Sequence, residues 1–284
     1  MIETIDRLFT ISCRNEYDPL KQVLLCQPAF MEIREIINET QRHFAGENID
    51  VQKAMRQHHA FMQTLKNGKI DVFLLPPRHT FPEQVFTRDI GFVIGKTFVV
   101  SQLKRAVRKG EESVLIRWLI ERKIPFMKME KGSIEGGDVL IDGQTIWFGD
   151  SDRTSMMAIQ EIRDTLDQYT IHTIPFKKEF LHLDCVFNIL SPDEALVYPK
   201  AFEKKEMDVL ANRYHLIEVS EEEQFTLGTN VLSIGKKTVI SLPLNRRINE
   251  TLRKKGYTVI EVDISEIIKS GGSFRCITLP LLRK

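Results

Sequence analysis

The sequence is poor in cysteine and lacks the residue spacings that mark common metal and cofactor sites. Its 284 residues include four cysteines, Cys13, Cys26, Cys185 and Cys276, and no Cys-x-x-Cys pair. There is no His-Glu-x-x-His motif, no acidic calcium loop, and no Rossmann or P-loop glycine spacing. The sequence therefore predicts reduced thiols, no metal and no cofactor.

Long apolar runs and an excess of one charge are also missing. No run approaches the ~20 apolar residues that a membrane-spanning helix needs. Forty Lys and Arg against 39 Asp and Glu leave a formal net charge of +1. The segment 1–7 has no basic stretch followed by an apolar one, so it does not resemble a secretory signal. We expect a cytoplasmic protein with neither nucleic acid nor membrane as a partner, and a homo-oligomer is compatible with the sequence.

What the sequence does contain is a repeat of short β-hairpins. Four segments with β-branched or aromatic runs on both sides of a turn begin at Asp89, Asp138, Asp184 and Asn230, in steps of 49, 46 and 46 residues. One further step of 46 residues reaches Cys276. Units of such a period bury their apolar faces against neighbouring units. The sequence therefore predicts an α/β fold made of five repeated units.

Helix-like stretches follow the hairpins, and each leads into an extended segment. The predicted helices are 111–122, 154–169, 204–214 and 245–255. An earlier unit has a strand at 22–26, a helical region to 66 and a returning strand at 72–75. Because no linker-like composition marks a boundary, we expect one domain spanning residues 1–284. The alternative is an ordinary α/β protein whose elements happen to be regularly spaced.

Cys276 is the candidate nucleophile. If the five units surround a common centre, the beginnings of equivalent strands converge there, which brings Asp89, Asp184 and Cys276 together. A thiolate is favoured beside a cation, and a bound cationic substrate supplies one. The alternative is a small buried hydrophobic residue. The preceding Gly271-Gly272 pair, which permits close approach of a ligand, and the neighbouring Arg275, which is costly in a core, both speak against that alternative.

His182 is the candidate acid and base. It is separated from Asp184 by one residue at the start of a predicted strand, so both side chains should share a face while Leu183 and Cys185 point away. Cys185 is then a packed thiol. His182 would protonate a leaving amine and then deprotonate water; taken alone, it could equally be a packed loop or core histidine.

Three acids complete the candidate site. Asp89 and Asp184 offer carboxylates that match the planar fork of a guanidinium group, although each could be a surface acid or a strand-start cap. Glu135 is placed to orient His182, with a turn acid as the alternative. We interpret Asp138 as a cap or surface acid. Together these residues describe a cysteine hydrolase or transferase for a planar cation.

Five motifs in this order resemble the guanidino-group-modifying enzyme superfamily, which includes arginine deiminases, dimethylarginine dimethylaminohydrolases and amidinotransferases. They are Phe-Thr-Arg-Asp at 86–89, Glu-Gly-Gly-Asp at 135–138, Gly-Asp-Ser-Asp-Arg-Thr-Ser at 149–155, His-Leu-Asp at 182–184 and Gly-Gly-Ser-Phe-Arg-Cys at 271–276. The resemblance implies a pentein fold, a five-bladed ββαβ propeller with pseudo-five-fold symmetry and a central site. This agrees with the repeat found from the hairpins.

The resemblance also implies roles for single residues. It implies a covalent S-alkylthiouronium on Cys276, with His182 as acid and base and Glu135 as its partner. Asp89 and Asp184 become the guanidinium ligands. Arg153 becomes the anchor for a substrate carboxylate, and Arg108, in the basic loop 104–111, is the favoured additional contact.

The expected activity is hydrolysis of a C–N bond of the guanidinium group of arginine or an arginine derivative. His-Leu-Asp resembles the deiminases and amidinotransferases more than the dimethylarginine hydrolases, and an acid at Asp184 favours an unsubstituted guanidinium. An amidinotransferase is the alternative, and a non-catalytic binding module of the same fold is a second one. Residues 29–47 are the candidate lid loop.

Overall fold

The structure is a computed structural model that describes residues 9–284, so the segment 1–7 lies outside the described residues. Within residues 9–284, fifteen strands form five three-stranded sheets. The strands are β1 Leu20–Cys26, β2 Asp71–Leu75, β3 Gly91–Ile94, β4 Thr97–Val100, β5 Phe126–Lys128, β6 Val139–Asp142, β7 Thr145–Asp150, β8 Thr170–Pro175, β9 Phe187–Ile189, β10 Glu194–Val197, β11 His215–Glu218, β12 Leu232–Gly235, β13 Thr238–Ser241, β14 Thr258–Glu261 and β15 Leu279–Arg283.

Helices connect the strands within each sheet. They are α1 Glu39–Phe44, α2 Val51–Asn67, α3 Glu111–Glu121, α4 Met156–Thr165, α5 Lys204–Ala211, α6 Glu221–Phe225 and α7 Arg246–Lys254. All but α6 lie between the second and third strands of a sheet. Among the described residues, no helix has both the length and the apolar character needed to cross a bilayer.

All five sheets have the same topology. The middle strand pairs antiparallel with the strand before it in the unit and parallel with the strand that follows the helix, as in β3-β4-β5 and β6-β7-β8. This is the predicted ββαβ unit, repeated five times. The predicted pentein propeller is therefore confirmed.

One sheet combines the two ends of the described chain. β15 pairs antiparallel with β1, where Val23 lies opposite Pro280, and β1 pairs parallel with β2. The strands predicted at 22–26 and 72–75 are thus the second and third strands of a blade whose first strand begins three residues after Cys276. This pairing closes the ring of blades.

Local sequence explains where the helices begin and which side they bury. Asp50 caps α2 by accepting a hydrogen bond from the Lys53 backbone at 3.0 Å, and Phe61 and Leu65 on its inner face are fully buried. Ser155 caps α4 in the same way. For this reason α4 begins at Met156, two residues later than predicted.

The turns that precede the five first strands are joined by a closed ring of hydrogen bonds. Each link connects one blade to the next: Gly136 N to Asp89 O at 3.3 Å, Leu183 N to Asp138 Oδ1 at 2.9 Å, Asn230 Nδ2 to Asp184 O at 3.0 Å, Arg275 N to Asn230 Oδ1 at 3.0 Å, and Arg88 N to Cys276 O at 3.0 Å. The predicted convergence of equivalent strand ends is therefore present, and it places the candidate residues around one centre.

Candidate active site

His182 and Glu135 form a buried ion pair. His182 Nε2 lies 2.8 Å from Glu135 Oε2, and neither side chain is exposed. Burial alone would lower the pKa of His182, but the charge of Asp89 and the hydrogen bond with Glu135 raise this pKa to about 10. Burial alone would raise the pKa of Glu135, but His182 and Arg153 lower it to about 2. The imidazole is therefore protonated at neutral pH.

The close approach of the Glu-Gly-Gly-Asp turn to His182 requires glycine. A Cβ atom on Gly137 would lie 2.6 Å from His182 Nδ1, which no side chain tolerates. The backbone therefore packs against the imidazole and fixes its plane. The second ring nitrogen, Nδ1, lies 3.7 Å from Asp89 Oδ1.

Asp89 is held by a buried arginine. Arg108 Nη1 donates to Asp89 Oδ2 at 2.6 Å, while its Nε and Nη2 bind Glu111 at 3.1 and 2.8 Å. Although burial opposes the charge, Glu111 and Asp89 raise the pKa of Arg108. Asp89 Oδ1 has no hydrogen-bond partner among the described residues. One carboxylate oxygen of Asp89 is thus fixed and the other is available to a ligand.

Asp184 lies between an arginine and the candidate nucleophile. Arg275 Nε is 3.4 Å from Asp184 Oδ2, and Cys276 Sγ is 3.9 Å from Asp184 Oδ1. Burial raises the pKa of Asp184, against the opposing charge of Arg275. The expectation that Arg275 would avoid a core position is wrong: it is 1% exposed, because Glu16 Oε2 accepts from its Nη1 at 2.7 Å.

The expectation that Cys185 points away from the site is also wrong. Residues 183–185 form a 3-10 turn rather than a strand, and β9 begins only at Phe187. Alternation of side chains does not apply in such a turn. Cys185 Sγ lies 3.7 Å from Asp184 Oδ1. The thiols of Cys185 and Cys276 therefore share one carboxylate.

Asp138 is neither a surface acid nor a simple cap. It is fully buried and accepts hydrogen bonds from Ser151 Oγ at 2.5 Å, Thr154 Oγ1 at 2.7 Å and the Leu183 backbone at 2.9 Å. Burial raises its pKa to about 6, although His182 and the hydroxyl donors oppose the shift. Asp138 thereby ties the loop that carries Arg153 to the turn that carries His182.

Arg153 connects the site to the candidate lid. It is 1% exposed, its Nη1 lies 3.4 Å from both carboxylate oxygens of Glu135, and its Nη2 donates to Ile37 O at 3.0 Å. Ile37 precedes α1, within the segment 29–47 that the sequence marks as a lid. Asn38 Nδ2 adds a second contact by donating to Ser270 O at 3.0 Å.

Four of the seven candidate residues line a small cavity of about 10 Å³. Its walls include Cys276, Asp89, Arg108 and Arg153 of the predicted residues, together with Ile37, Asn38, Glu83, Phe86, Leu181, Ser270, Gly271 and Gly272. His182, Glu135 and Asp184 do not line the cavity but contact residues around it. The predicted roles of all seven residues in catalysis or substrate binding stay predictions.

Sequence reasoning missed Glu83, which also lines the cavity. It is 3% exposed and accepts hydrogen bonds from Gln41 Nε2 at 2.8 Å and Ser270 Oγ at 3.1 Å. Burial raises its pKa to about 7, although Arg108 opposes the shift. Glu83 lies six residues before Asp89 in the chain, and a search for acids beside the motif would have found it.

Comparisons with known proteins show the family of the chain. The family model described as N,N dimethylarginine dimethylhydrolase, eukaryotic, matches residues 27–283. The uncharacterized protein YkgA of Bacillus subtilis (strain 168) is 53% identical over 271 residues, which are 95% of each chain. The N(G),N(G)-dimethylarginine dimethylaminohydrolase of Pseudomonas aeruginosa is 27% identical over 81% of this chain and 89% of its own.

A solved structure is similar over nearly the whole chain. It is the product-bound N-terminal domain of ArgZ, an arginine dihydrolase from cyanobacteria, with a TM-score of 0.85 and 27% identity. The match covers 94% of this chain and 98% of that domain.

Proposed function

Because the chain belongs to the N,N dimethylarginine dimethylhydrolase family, whose members are enzymes that act on guanidino groups, we propose that it hydrolyses a C–N bond of the guanidinium group of arginine or an arginine derivative. The observation that carries this proposal is the shared cavity of Cys276 and Asp89, with the His182–Glu135 pair beside Asp89. A thiol, a carboxylate and a protonated imidazole are the groups that the reaction needs.

The two aspartates hold the planar cation for attack from its face. The free Oδ1 of Asp89 and the carboxylate of Asp184 accept guanidinium hydrogens, which fixes the central carbon near Cys276 Sγ. The positive charge of the substrate favours the thiolate form of Cys276. The sulfur then adds to the central carbon and gives a tetrahedral intermediate.

His182 supplies the proton for the leaving group. At neutral pH its imidazolium form, maintained by Asp89 and Glu135, donates a proton to the departing amine as the C–N bond breaks. An S-alkylthiouronium remains on Cys276. The neutral imidazole then takes a proton from water, which attacks the same carbon, and the C–S bond breaks to leave a ureido product and the free cysteine.

The carboxylate and α-ammonium groups of an arginine substrate would each contact a side chain of opposite charge. We assign the substrate carboxylate to Arg153, because the side-chain nitrogens of Arg108 are already paired with Asp89, Glu111 and the Phe86 carbonyl. We assign an α-ammonium group to Glu83. Arg108 then acts chiefly by orienting Asp89, and a direct contact with substrate stays a prediction.

Substrate entry requires the lid to move. A cavity of about 10 Å³ holds about one water molecule. The carboxylate assigned to Arg153 would replace the Ile37 carbonyl as the acceptor for Nη2. The closed lid and the substrate therefore compete for one donor.

The ring of blades is closed by the pairing of β15 with β1. We therefore further propose that residues 1–284 act as one catalytic domain.

A ureido-product colour assay over a panel of guanidino compounds tests the proposal. The panel should contain arginine, monomethylarginine and dimethylarginine, with released ammonia and alkylamines measured separately. Since Asp184 accepts hydrogen bonds from guanidinium N–H groups, which methylation removes, we expect arginine to be a better substrate than its methylated derivatives. Added glycine or ornithine shows whether an amine replaces water. Activity that survives Cys276→Ala overturns the proposal.

A further inference from the structure

The candidate site contains two neighbouring thiols, and the proposed reaction uses only one of them. The sulfur atoms of Cys185 and Cys276 and a carboxylate oxygen of Asp184 all lie within 4.8 Å of one another. Cys185 and Cys276 are free and are 3% and 2% exposed. A nucleophilic thiol with a second thiol beside it can form a disulfide rather than higher, irreversible oxidation states.

The surrounding contacts hold both backbones and leave the sulfurs as the parts that move. The Cys185 carbonyl accepts hydrogen bonds from Gln224 Nε2 at 2.7 Å and from Thr229 Oγ1. The Cys276 carbonyl accepts from the Arg88 backbone at 3.0 Å. A disulfide would form by rotation about the two Cα–Cβ bonds, which moves the sulfurs from within 4.8 Å of each other toward the bonded distance of about 2.05 Å.

A separate cavity reaches the Cys185 side of this thiol pair. This cavity of about 330 Å³ has Cys185 in its wall, beside Leu181, Gln224 and Gly271. Leu181 and Gly271 also line the cavity of Cys276. The two cavities thus share the wall residues Leu181 and Gly271, with one thiol in the lining of each. A hydroperoxide is much smaller than arginine or an arginine derivative.

We propose that Cys185 and Cys276 form a redox-sensitive pair in which a hydroperoxide converts the nucleophile reversibly into a disulfide. The Cys276 thiolate attacks the peroxide oxygen, the O–O bond breaks, and Cys276 becomes a sulfenic acid as water or an alcohol leaves. Cys185 sulfur then attacks the sulfenic sulfur, the S–O bond breaks, and a second water leaves. The two thiol protons end in these products, and the peroxide is the two-electron oxidant.

The electrostatic setting separates the roles of the two thiols. The hydrogen bond with Cys276 and burial raise the pKa of Cys185 well above its ordinary value, so Cys185 stays protonated at neutral pH. It cannot replace Cys276 as the first nucleophile. Once the Cys276 sulfur is oxidised, Asp184 is the adjacent carboxylate that takes the Cys185 proton, since Cys185 Sγ lies 3.7 Å from Asp184 Oδ1.

Peptide mapping of the full chain after hydrogen peroxide treatment tests the pair. Tryptic cleavage separates peptide 179–200, which carries Cys185, from peptide 276–283, which carries Cys276. We expect the two peptides linked in the non-reduced digest, with a mass two hydrogens below their sum. Ureido-forming activity should disappear with the same time course and return on treatment with dithiothreitol.

Cys185→Ser should remove the link and the recovery, with the activity of the same variant before peroxide as its reference. Peroxide should then convert Cys276 to sulfinic and sulfonic acids, which dithiothreitol does not reduce. Cys26→Ser, a substitution at another buried cysteine, should behave as the unsubstituted protein. If Cys185→Ser does not fold, as judged by its melting temperature, Cys185→Ala serves in its place.

The inference rests on the proposed function only in its activity measurement. If the peptides are linked but the protein hydrolyses no guanidino compound, the proposed function is wrong and the disulfide proposal stands. Oxidation of Cys276 to sulfinic acid without any linked peptide would overturn the inference and leave the function intact. Full recovery of ureido-forming activity in Cys185→Ser after peroxide and then dithiothreitol would overturn the inference as well.

Discussion

His182 Nε2 lies 2.8 Å from Glu135 Oε2 inside the protein. The charge of Asp89 and this hydrogen bond raise the pKa of His182 to about 10. If the imidazolium donates the proton to the leaving amine, kcat/KM should fall as the pH rises through that value. Glu135→Gln removes the negative charge, lowers the pKa of His182 and should move the alkaline limb to lower pH. We also expect about 10²–10⁴-fold loss of rate at neutral pH.

The measurement is the pH dependence of kcat/KM for arginine hydrolysis. Glu206→Gln, at a buried glutamate on α5, is the matched control and should keep the alkaline limb in place. An unchanged limb in Glu135→Gln would show that Glu135 does not set the protonation of His182.

The same ion pair predicts how stability depends on pH. Folding raises the pKa of His182 from 6.5 to about 10, so its contribution is complete below pH 6.5 and is lost as the pH rises through 10. Folding lowers the pKa of Glu135 from 4.5 to about 2, so its contribution is complete above pH 4.5 and is lost toward pH 2.

Urea unfolding between pH 3 and 10 checks this dependence. Removing one member of a buried pair costs about 3–5 kcal/mol, so Glu135→Gln and His182→Gln should each unfold at lower urea concentration near pH 6. The double variant should lose less than the sum of the two. Additive losses would contradict a direct coupling between the two side chains.

The sequence predicts the fold well because the repeat is local. Each hairpin has its own turn and β-branched runs, and the step of 46 residues from Asn230 reaches Cys276 before any contact is known. The structure supplies the reason for the equivalence. Asp89, Asp138, Asp184, Asn230 and Cys276 all take part in the hydrogen-bond ring that joins the blades.

The predictions that failed concern residues whose positions depend on contacts or local turns that the repeat does not encode. Arg275 is buried because Glu16, at the other end of the chain, neutralises it. Cys185 faces the site because a 3-10 turn, and not a strand, carries it. Glu83 belongs to no repeated motif, and its place in the cavity depends on contacts with Gln41 and Ser270. None of these arrangements has a periodic signature in the sequence.

Arg153 should distinguish substrates by their carboxylate. Arg153→Lys keeps a positive charge beside Glu135 but loses the fork that binds a carboxylate in two places. A hydrogen bond to a charged group contributes about 1.5–3 kcal/mol, so KM for arginine should rise about 10- to 150-fold. KM for 1-amino-4-guanidinobutane, which has no carboxylate, should change far less.

Steady-state kinetics on the two compounds gives this comparison within one variant. Arg105 lines the same surface cavity as Arg153. Arg105→Lys is therefore the control, and it should raise KM for neither compound. Equal increases for both compounds would move the carboxylate assignment away from Arg153.

Asp138 should contribute to both stability and activity without touching substrate. Asp138→Asn replaces one acceptor oxygen by a donor amide, which faces the hydroxyl groups of Ser151 and Thr154. We expect a loss of about 1–3 kcal/mol in the free energy of unfolding, measured by urea titration, and a lower kcat because Leu183 and Arg153 lose their common anchor. A variant with unchanged kcat would reduce Asp138 to a purely structural residue.

Gly271 should be needed for lid closure as well as for backbone conformation. Its φ is +92°, and a Cβ atom there would lie 2.7 Å from the Asn38 side chain, which joins the lid to Ser270. Gly143, in the β6–β7 turn, has φ of +64° and open space around the Cβ position. Alanine at either position adds about 1–2 kcal/mol of left-handed backbone strain, but only Gly271→Ala also displaces Asn38.

Gly271→Ala should therefore lose at least as much stability as Gly143→Ala in urea titrations. Gly271→Ala alone should lose kcat/KM, by about tenfold for each ~1.4 kcal/mol by which lid closure is weakened. Equal kcat/KM in the two variants would mean that the contact between Asn38 and the Gly271 turn does not hold the lid, and that substrate capture depends on Arg153 and Ile37 instead.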